Sequence, residues 1–397
     1  MRLAHLADLH LGFRQFNRQT PQGTNQREDD VAAAFRAALD DVIATRPDLV
    51  LLAGDLFHSV RPTNPAILTS FEQLRRLRAA LPHTPIVVIG GNHDTPRSVE
   101  TGAILRLFEA VERISVIVHG VERLDFPELD LALLCVPHAA LFRQPRAVFV
   151  PESGRAHNVL MLHGEVMGII AGDRSWVEYG GALVDPADLH PEQWSYVALG
   201  HYHVARALPG APNAWYAGSL EYVSPNPWGE LRDEAALGRE GQKGWLLVEV
   251  ARETSVEFRP IPLARRLIDL PAIHGAGLAP AELDQAIQAR ATGVEGGIAG
   301  HVVRQVLWDV PRAVARDLAH VRIREFKSRA LHYHLDIRRP EPARQVGVGA
   351  PGARQTLIEL VTEYLGRRPL DATVDRKGLI GLARGYLERV EARVGEG

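Results

Sequence analysis

The chain carries a single cysteine, Cys135, among 397 residues, so no internal disulfide can form. That scarcity fits a reducing compartment, where a lone thiol usually acts as a small buried apolar group; here it is expected inside a strand over residues 131–136. Long apolar runs are missing too. No segment approaches the ~20 residues of a membrane-spanning helix, which excludes an anchor of that kind. Residue 1 leads straight into a strand, leaving no room for the charged and apolar regions of a secretory signal, and cytoplasmic residence is the expectation. An excess of basic charge is absent as well: 45 Lys and Arg face 48 Asp and Glu, for a net charge of -3. That balance argues against a globally basic nucleic-acid binder, although local patches and bound cations escape such a count. No repeat of fixed period and no low-complexity tract occurs. With 46% hydrophobic and 23% charged residues the composition is that of a soluble globular protein, long enough for two or three domains.

From the start to about residue 136, strand and helix signals alternate, as in an α/β domain. Val31, Phe35, Ala38, Leu39, Val42 and Ile43 make one helical stripe, and Ile67, Phe71, Leu74, Leu77 and Leu81 another; both read as core. Between residues 131 and 261 the apolar runs shorten and clear helices vanish, which predicts a more antiparallel second sheet packed face to face with the first, with helices outside. The domain is assigned to 1–261. A smaller α/β unit is expected over 262–339, rich in basic residues such as Arg322, Arg324, Lys327, Arg329, Arg338 and Arg339. A linker rich in Pro, Gly and Ala follows over 340–354. Two amphipathic helices are expected over 355–397, carrying Leu357, Ile358, Val361 and Leu365 on one and Leu379, Ile380, Ala383, Leu387, Val390 and Val394 on the other; segments so short need something to bury against.

Five polar clusters each follow an apolar run: Asp8-Leu9-His10, Gly54 to His58, Gly91-Asn92-His93-Asp94, His163-Gly164 and Gly200-His201-Tyr202-His203. Singly, such an Asp is usually a cap and such a His an ordinary surface or core residue. Together they fall on the carboxyl side of predicted strands, the end at which open α/β sheets bind ligands. Imidazole, carboxylate and amide oxygen without thiolate suit Mn²⁺, Fe²⁺ or Zn²⁺. Asp8, His10, Asp55, Asn92, His163, His201 and His203 offer more donors than one ion can use, which implies two ions bridged by a carboxylate such as Asp55. Such a pair clamps the attacking and leaving oxygens of a displacement at phosphorus and acidifies a water, so phosphoester hydrolysis is the reaction class. His93 could then protonate the departing oxygen while Asp94 holds its other ring nitrogen, and His58 could contact the phosphate or orient the nucleic acid.

The D-x-H, G-D-x-x-H, G-N-H-D, H-G and G-H-x-H series resembles the calcineurin-like metallophosphoesterases. Within them, residues 5–13, 53–58 and the Tyr-Ala-Gly-Ser-Leu-Glu stretch at 216–221 resemble the SbcD-type subunits of DNA double-strand break repair nucleases. The likeness implies a two-sheet αββα sandwich with a small α/β DNA-capping domain. It implies one Mn²⁺ on Asp8, His10, Asp55 and His203 and a second on Asp55, Asn92, His163 and His201, with Fe²⁺, Mg²⁺ or Zn²⁺ as substitutes. It also implies His93 at the leaving group, His58 as a supporting catalytic residue, 3′→5′ double-strand exonuclease and single-strand endonuclease activity, an SbcC-type SMC-like ATPase partner docked on the C-terminal helices, and a homodimer. Two departures stand out: the loop over 11–28 is long, and Tyr222 sits where related chains often place a basic residue. Arg14, Phe16, Arg18 and Arg27 of that loop, with Arg322, Arg324 and Lys327, are candidate DNA contacts, against a plain solvated loop. Two other readings remain: dimetal chemistry on a small phosphoester or nucleotide, and a metal-binding scaffold without catalysis.

Overall fold

The computed structural model describes residues 1–96, 102–144, 148–169, 181–340, 357–368 and 374–394. They fall in two compact units, Met1–Arg339 and Pro340–Gly397. In the first unit, four short apolar runs form the parallel strands β1 (Arg2–Leu6), β2 (Leu49–Leu52), β3 (Ile86–Ile89) and β4 (Ile114–Ile117). Two antiparallel strands, β13 (Gly244–Glu249) and β14 (Ser255–Pro260), extend this sheet beyond β1 in the order β14-β13-β1-β2-β3-β4.

Alternation along β1 explains how the sheet is covered on both faces. Ala4 and Leu6 join Val50, Leu52 and Val88 under helices α1 (Gln26–Thr45) and α2 (Asn64–Ala80), against Phe35, Leu39, Leu74 and Leu77. Leu3 and Ala7 face the other way with Leu49, Leu51 and Val87. Each of the larger side chains, Leu, Val and Phe, contributes roughly 1.5–3 kcal/mol through burial. Both helices begin where side chains cap them: Asn25 accepts from Arg27 N, and Thr63 accepts from Ala66 N.

The second sheet holds β5 (Glu122–Phe126), β6 (Leu131–Val136), β7 (His157–His163), β10 (Tyr196–Gly200), β11 (Arg206–Leu208) and β12 (Ala211–Tyr216), in the order β11-β12-β10-β7-β6-β5. Its inner face, with Leu133, Cys135, Val159, Met161 and Tyr196, packs on the first sheet, so the face-to-face sandwich and the buried Cys135 follow the expectation. His5 belongs to this interior: burial lowers its ring to about 3, and Nδ1 lies 2.9 Å from the Tyr196 hydroxyl across the two sheets.

The expected antiparallel character is corrected. The β6–β7, β7–β10 and β10–β12 pairs are parallel, and only the edge pairs β5–β6 and β11–β12 are antiparallel. Among the described residues, the crossovers joining the parallel strands carry short pieces such as α3 (Pro186–Leu189) and the small pair β8 (Glu165–Val166) with β9 (Leu183–Val184). Missing helical periodicity was therefore no guide to strand direction.

Residues past 262 form a separate parallel sheet of β15 (Leu267–His274), β16 (Val302–Trp308) and β17 (His332–Ile337), covered by α5 (Pro280–Thr292) and α7 (His320–Arg329), with α6 (Arg312–Arg316) between β16 and α7. It has its own core of Leu283, Ile287, Val303, Leu307, Phe326 and Tyr333. Arg265 fastens it to the main body, with Nε at 3.0 and 2.9 Å from the two Asp30 oxygens and Nη1 donating to Gly300 O at 2.7 Å. A further helix, α4 (Pro227–Ala236), leads back toward β13. The second unit contains α8 (Leu357–Arg367) and α9 (Arg376–Val394), whereas most of the expected 340–354 linker lies outside the described residues. No described helix is long and apolar enough to cross a membrane.

Candidate metal centre

All five polar clusters meet at the carboxyl ends of β1, β2, β3, β7 and β10. Backbone bonds lock them: Asp8 N donates to Gly54 O at 3.1 Å, His10 N to Asp55 O at 2.9 Å and His93 N to the Asp55 side chain at 2.8 Å. Asp8, His10, Asp55 and His201 have positive φ (52°, 46°, 51° and 109°), a backbone region that side chains rarely adopt and that clusters at functional sites. Gly54 and Gly91 are there for space. A Cβ on Gly54 would stand 2.2 Å from His163 Nδ1, and one on Gly91 2.1 Å from Asp55 Oδ1.

Donor atoms of Asp8, His10 and His203 lie within 4.8 Å of one another, as do those of Asp55, His163 and His201; all six side chains are buried. Asn92 joins the second group, its Oδ1 being 3.0 Å from His163 Nε2 and 3.0 Å from His201 Nδ1. His10 Nε2 stands 3.1 Å from His203 Nε2 and 3.8 Å from Asp55 Oδ2, so Asp55 lies between the groups.

The hydrogen bonds behind these rings show what the groups can hold. His163 Nδ1 is 2.8 Å from Ala53 O and must donate to it, which turns Nε2 toward Asp55 Oδ2 at 3.3 Å. Asp55 Oδ2 is itself buried without a hydrogen-bond donor among the described residues. A ring lone pair, a carboxylate oxygen and an amide oxygen thus converge, and only positive charge between them removes the repulsion. Without a cation, a proton on His163 would supply that charge. Burial opposes charge on His163, yet Asp55 outweighs it and raises the ring to about 9. Burial would raise Asp55, but His163, His93 and His10 hold it well below the usual carboxylate range. Hard oxygen and imidazole donors around one shared carboxylate therefore fit a pair of divalent cations.

Beside the first group, His58 Nδ1 lies 3.2 Å from His10 Nδ1, and the His58 and His93 rings stack 5.1 Å apart. His93 Nδ1 is 2.8 Å from His58 O. The role expected of Asp94 is corrected here: its carboxylate does not hold His93 but accepts from Leu56 N and Phe57 N at 2.9 Å each and from Gly91 N at 3.3 Å. Sequence adjacency suggested a ring partner, but the turn carries consecutive side chains in different directions. Burial, followed by the nearby Asp55 charge, raises Asp94 to about 7.

The basic candidates differ in their surroundings. Arg14 bonds Glu28 at 2.7 Å, and Arg18 donates to Lys327 O and Ser328 O at 3.1 and 3.0 Å. Arg27 is buried against Asp30, Glu221 and Tyr222 O, so it is a structural arginine and not a DNA contact. Arg322, Arg324 and Lys327 are exposed on α7, with Arg322 turned to Gln288. Tyr222 is buried, its hydroxyl donating to Glu234 at 2.6 Å. Residues that spacing did not reveal stand behind His203. Its Nδ1 is 2.9 Å from Ser224 Oγ and 3.6 Å from Glu230 Oε1, and Lys243 pairs with Glu230 and donates to His203 O at 3.0 Å. Such partners set the tautomer and orientation of a coordinating ring.

Similarity to known proteins agrees with this geometry. Proteins named DNA double-strand break repair protein Mre11 are similar to the chain: that of Methanococcus maripaludis is 27% identical over 248 residues, covering 60% of this chain and 61% of the other. That of Sulfurisphaera tokodaii is 28% identical over 251 residues (62% and 59%), and that of Aeropyrum pernix 30% identical over 237 (55% and 53%). The matched stretch thus spans little more than half to three-fifths of those relatives' lengths. Residues 1–205 match the family model described as calcineurin-like phosphoesterase, and the chain belongs to that family.

Proposed function

We propose that this chain is the nuclease subunit of a DNA end-processing machine and hydrolyses phosphodiester bonds of DNA with two Mn²⁺ ions. The observation that carries the reading is the convergence of Asp55 Oδ2, His163 Nε2 and Asn92 Oδ1 on one buried point beside the Asp8–His10–His203 group. The names of the relatives, which concern DNA double-strand break repair, supply the substrate class. Asp8, His10, Asp55 and His203 would hold one ion and Asp55, Asn92, His163 and His201 the other. When bound, the pair supplies Lewis acidity at phosphorus and an acidified water as nucleophile.

The protein's own groups do the rest. With Nδ1 of His93 donating to His58 O, Nε2 is the nitrogen assigned to protonate the departing oxygen. His58, stacked on His93 and bonded to His10, fixes that ring against the first group. Asp94 acts from behind by cradling the turn between β2 and α2. The activities assigned are 3′→5′ exonuclease on duplex ends and endonuclease on single strands. Residues 262–339 serve as a DNA-capping domain and 355–397 dock an SbcC-type ATPase, the working form being a homodimer.

Plasmid and hairpin DNA offered beside p-nitrophenyl phosphates, in Mn²⁺ and with or without such an ATPase, test the assignment. DNA cleavage that requires Mn²⁺ is expected. Turnover of the small ester with DNA left intact in both arms would overturn the nuclease reading in favour of a small-phosphoester hydrolase.

A further inference from the structure

A cleft of about 350 Å³ lies between the main body and the β15–β17 sheet, unused by the chemistry above. One wall is a stack of rings: Phe16 lies on His332 at 4.0 Å and 11°, and His334 continues the array at 6.1 Å and 13°. Trp228 also lines the cleft, with the Arg304 guanidinium 4.7 Å over its ring. His334 is exposed, and among the described residues no hydrogen bond holds either histidine ring. Ordinary core packing would close such a stack against apolar neighbours; this one faces open space.

The charges around the cleft are already matched. Arg304 makes two bonds to Asp269, and Arg338 pairs with Asp336 at 2.9 Å, so no surplus cation is aimed into the cleft for a phosphate. Burial, with His334 and Lys327 nearby, lowers His332 below its ordinary range, which keeps a neutral ring in the stack at pH 7. At the rim, the side-chain amides of Gln15 and Asn226 make no hydrogen bond within the described residues. Each offers a donor and an acceptor side by side, the pattern that pairs with the edge of a base. A flat, neutral, hydrogen-bonding group is the ligand such walls suit.

Two chain segments tie the cleft to the metal centre. The Phe13 ring lies 5.0 Å from that of His58, and the three residues onward to Phe16 span at most about 11 Å. Ser224, bonded to His203, precedes Trp228 by four residues. A strand with its phosphate at the centre therefore reaches the cleft within a few nucleotides.

We propose that this cleft receives an unpaired nucleobase of the DNA strand being cut, stacked on the Phe16–His332–His334 array and bonded at its edge by Gln15 and Asn226. The proposal rests on the DNA reading above and adds to it a site that grips the strand by its base and not its backbone. Stacking of this kind tolerates any base and favours single strands.

The test uses the full chain and single-stranded oligonucleotides carrying 2-aminopurine at successive positions, titrated in EDTA so that binding is read without cleavage. At one position the fluorescence should fall on binding. His334→Ala and Trp228→Ala should each weaken affinity about tenfold. An abasic nucleotide at that position should weaken the parent similarly and remove the difference between parent and variants, the coupling expected of a direct contact. Mn²⁺-dependent hydrolysis of bis(p-nitrophenyl) phosphate reports whether each variant keeps its fold. Equal affinities in folded variants and parent, or no loss from the abasic nucleotide, would overturn the cleft while leaving the nuclease standing. A parent that hydrolyses the small diester yet neither binds nor cuts DNA would overturn the DNA reading and this proposal with it.

Discussion

At the scale of single residues, the candidate centre depends on backbone that would be unfavourable in isolation. A non-glycine residue at positive φ costs of order 1–3 kcal/mol, and here Asp8, His10, Asp55 and His201 all carry it. Asp8 accepts His201 N on both oxygens, at 2.9 and 3.0 Å, so each strained turn is held by the next. Gly54→Ala is expected to push His163 away, because the added carbon would meet its ring and φ is +94°. Melting should fall by several degrees, and titration calorimetry should show one Mn²⁺ bound instead of two. His93→Leu should leave both ions in place and lower the DNA cleavage rate by about 10²–10⁴, the usual share of a proton-transfer group. Unchanged single-turnover rates in that variant would remove His93 from the chemistry. Most of the centre was legible at this scale, since every donor sits in a short polar cluster after an apolar run. Ser224, Glu230 and Lys243 were not legible, because they reach His203 from a loop, helix α4 and the residue before β13, and their residue types are common on any surface.

Among secondary-structure elements, α4 and the start of β13 share a buried cluster. Lys243 pairs with Glu230 and with Glu234, the latter at 3.0 Å, and all three are almost fully buried. Burial alone would raise the Glu230 carboxyl, but Lys243 and then His203 outweigh it and hold the group at about 2 against an ordinary 4.5. A depressed carboxyl stabilises the fold above its unfolded pKa, and that contribution is lost as pH falls from about 4.5 toward 2. The term is on the order of 3 kcal/mol. Glu234, raised mainly by burial, acts in the opposite direction, so the comparison must be with Glu230→Gln. Urea unfolding of metal-free protein between pH 5 and pH 3 should show a steeper loss in the parent than in Glu230→Gln; parallel curves would contradict the assignment. Lys243→Met should cost about 3–5 kcal/mol, because it leaves buried carboxylates without their cation. Helices α1 and α2 were readable from their stripes, and the strands from their apolar runs. Strand direction in the second sheet was not, because it depends on crossovers that carry almost no periodic signal.

For the whole molecule, two linkages can be measured. Cations that bind only the folded chain stabilise it by mass action, about 2.7 kcal/mol at a hundredfold excess over Kd. Mn²⁺ should therefore raise the melting temperature and EDTA reverse it, and a variant lacking Asp55 should respond to neither. Arg265 joins the β15–β17 sheet to Asp30 of α1. Arg265→Ala should speed hydrogen exchange in 262–339 while two Mn²⁺ still bind; unchanged exchange would show that the join lies elsewhere.

The sequence by itself determined the alternating α/β order, the burial of Cys135 and the set of side chains able to bind metal, because apolar periodicity and donor chemistry are local properties. Tertiary structure alone decided which strands run parallel, that Asp94 braces a turn while His58 O takes His93, and that Arg27 is buried while Phe16 stacks on His332. Those outcomes depend on contacts between residues tens to hundreds of positions apart, and only the closed fold brings such partners within reach.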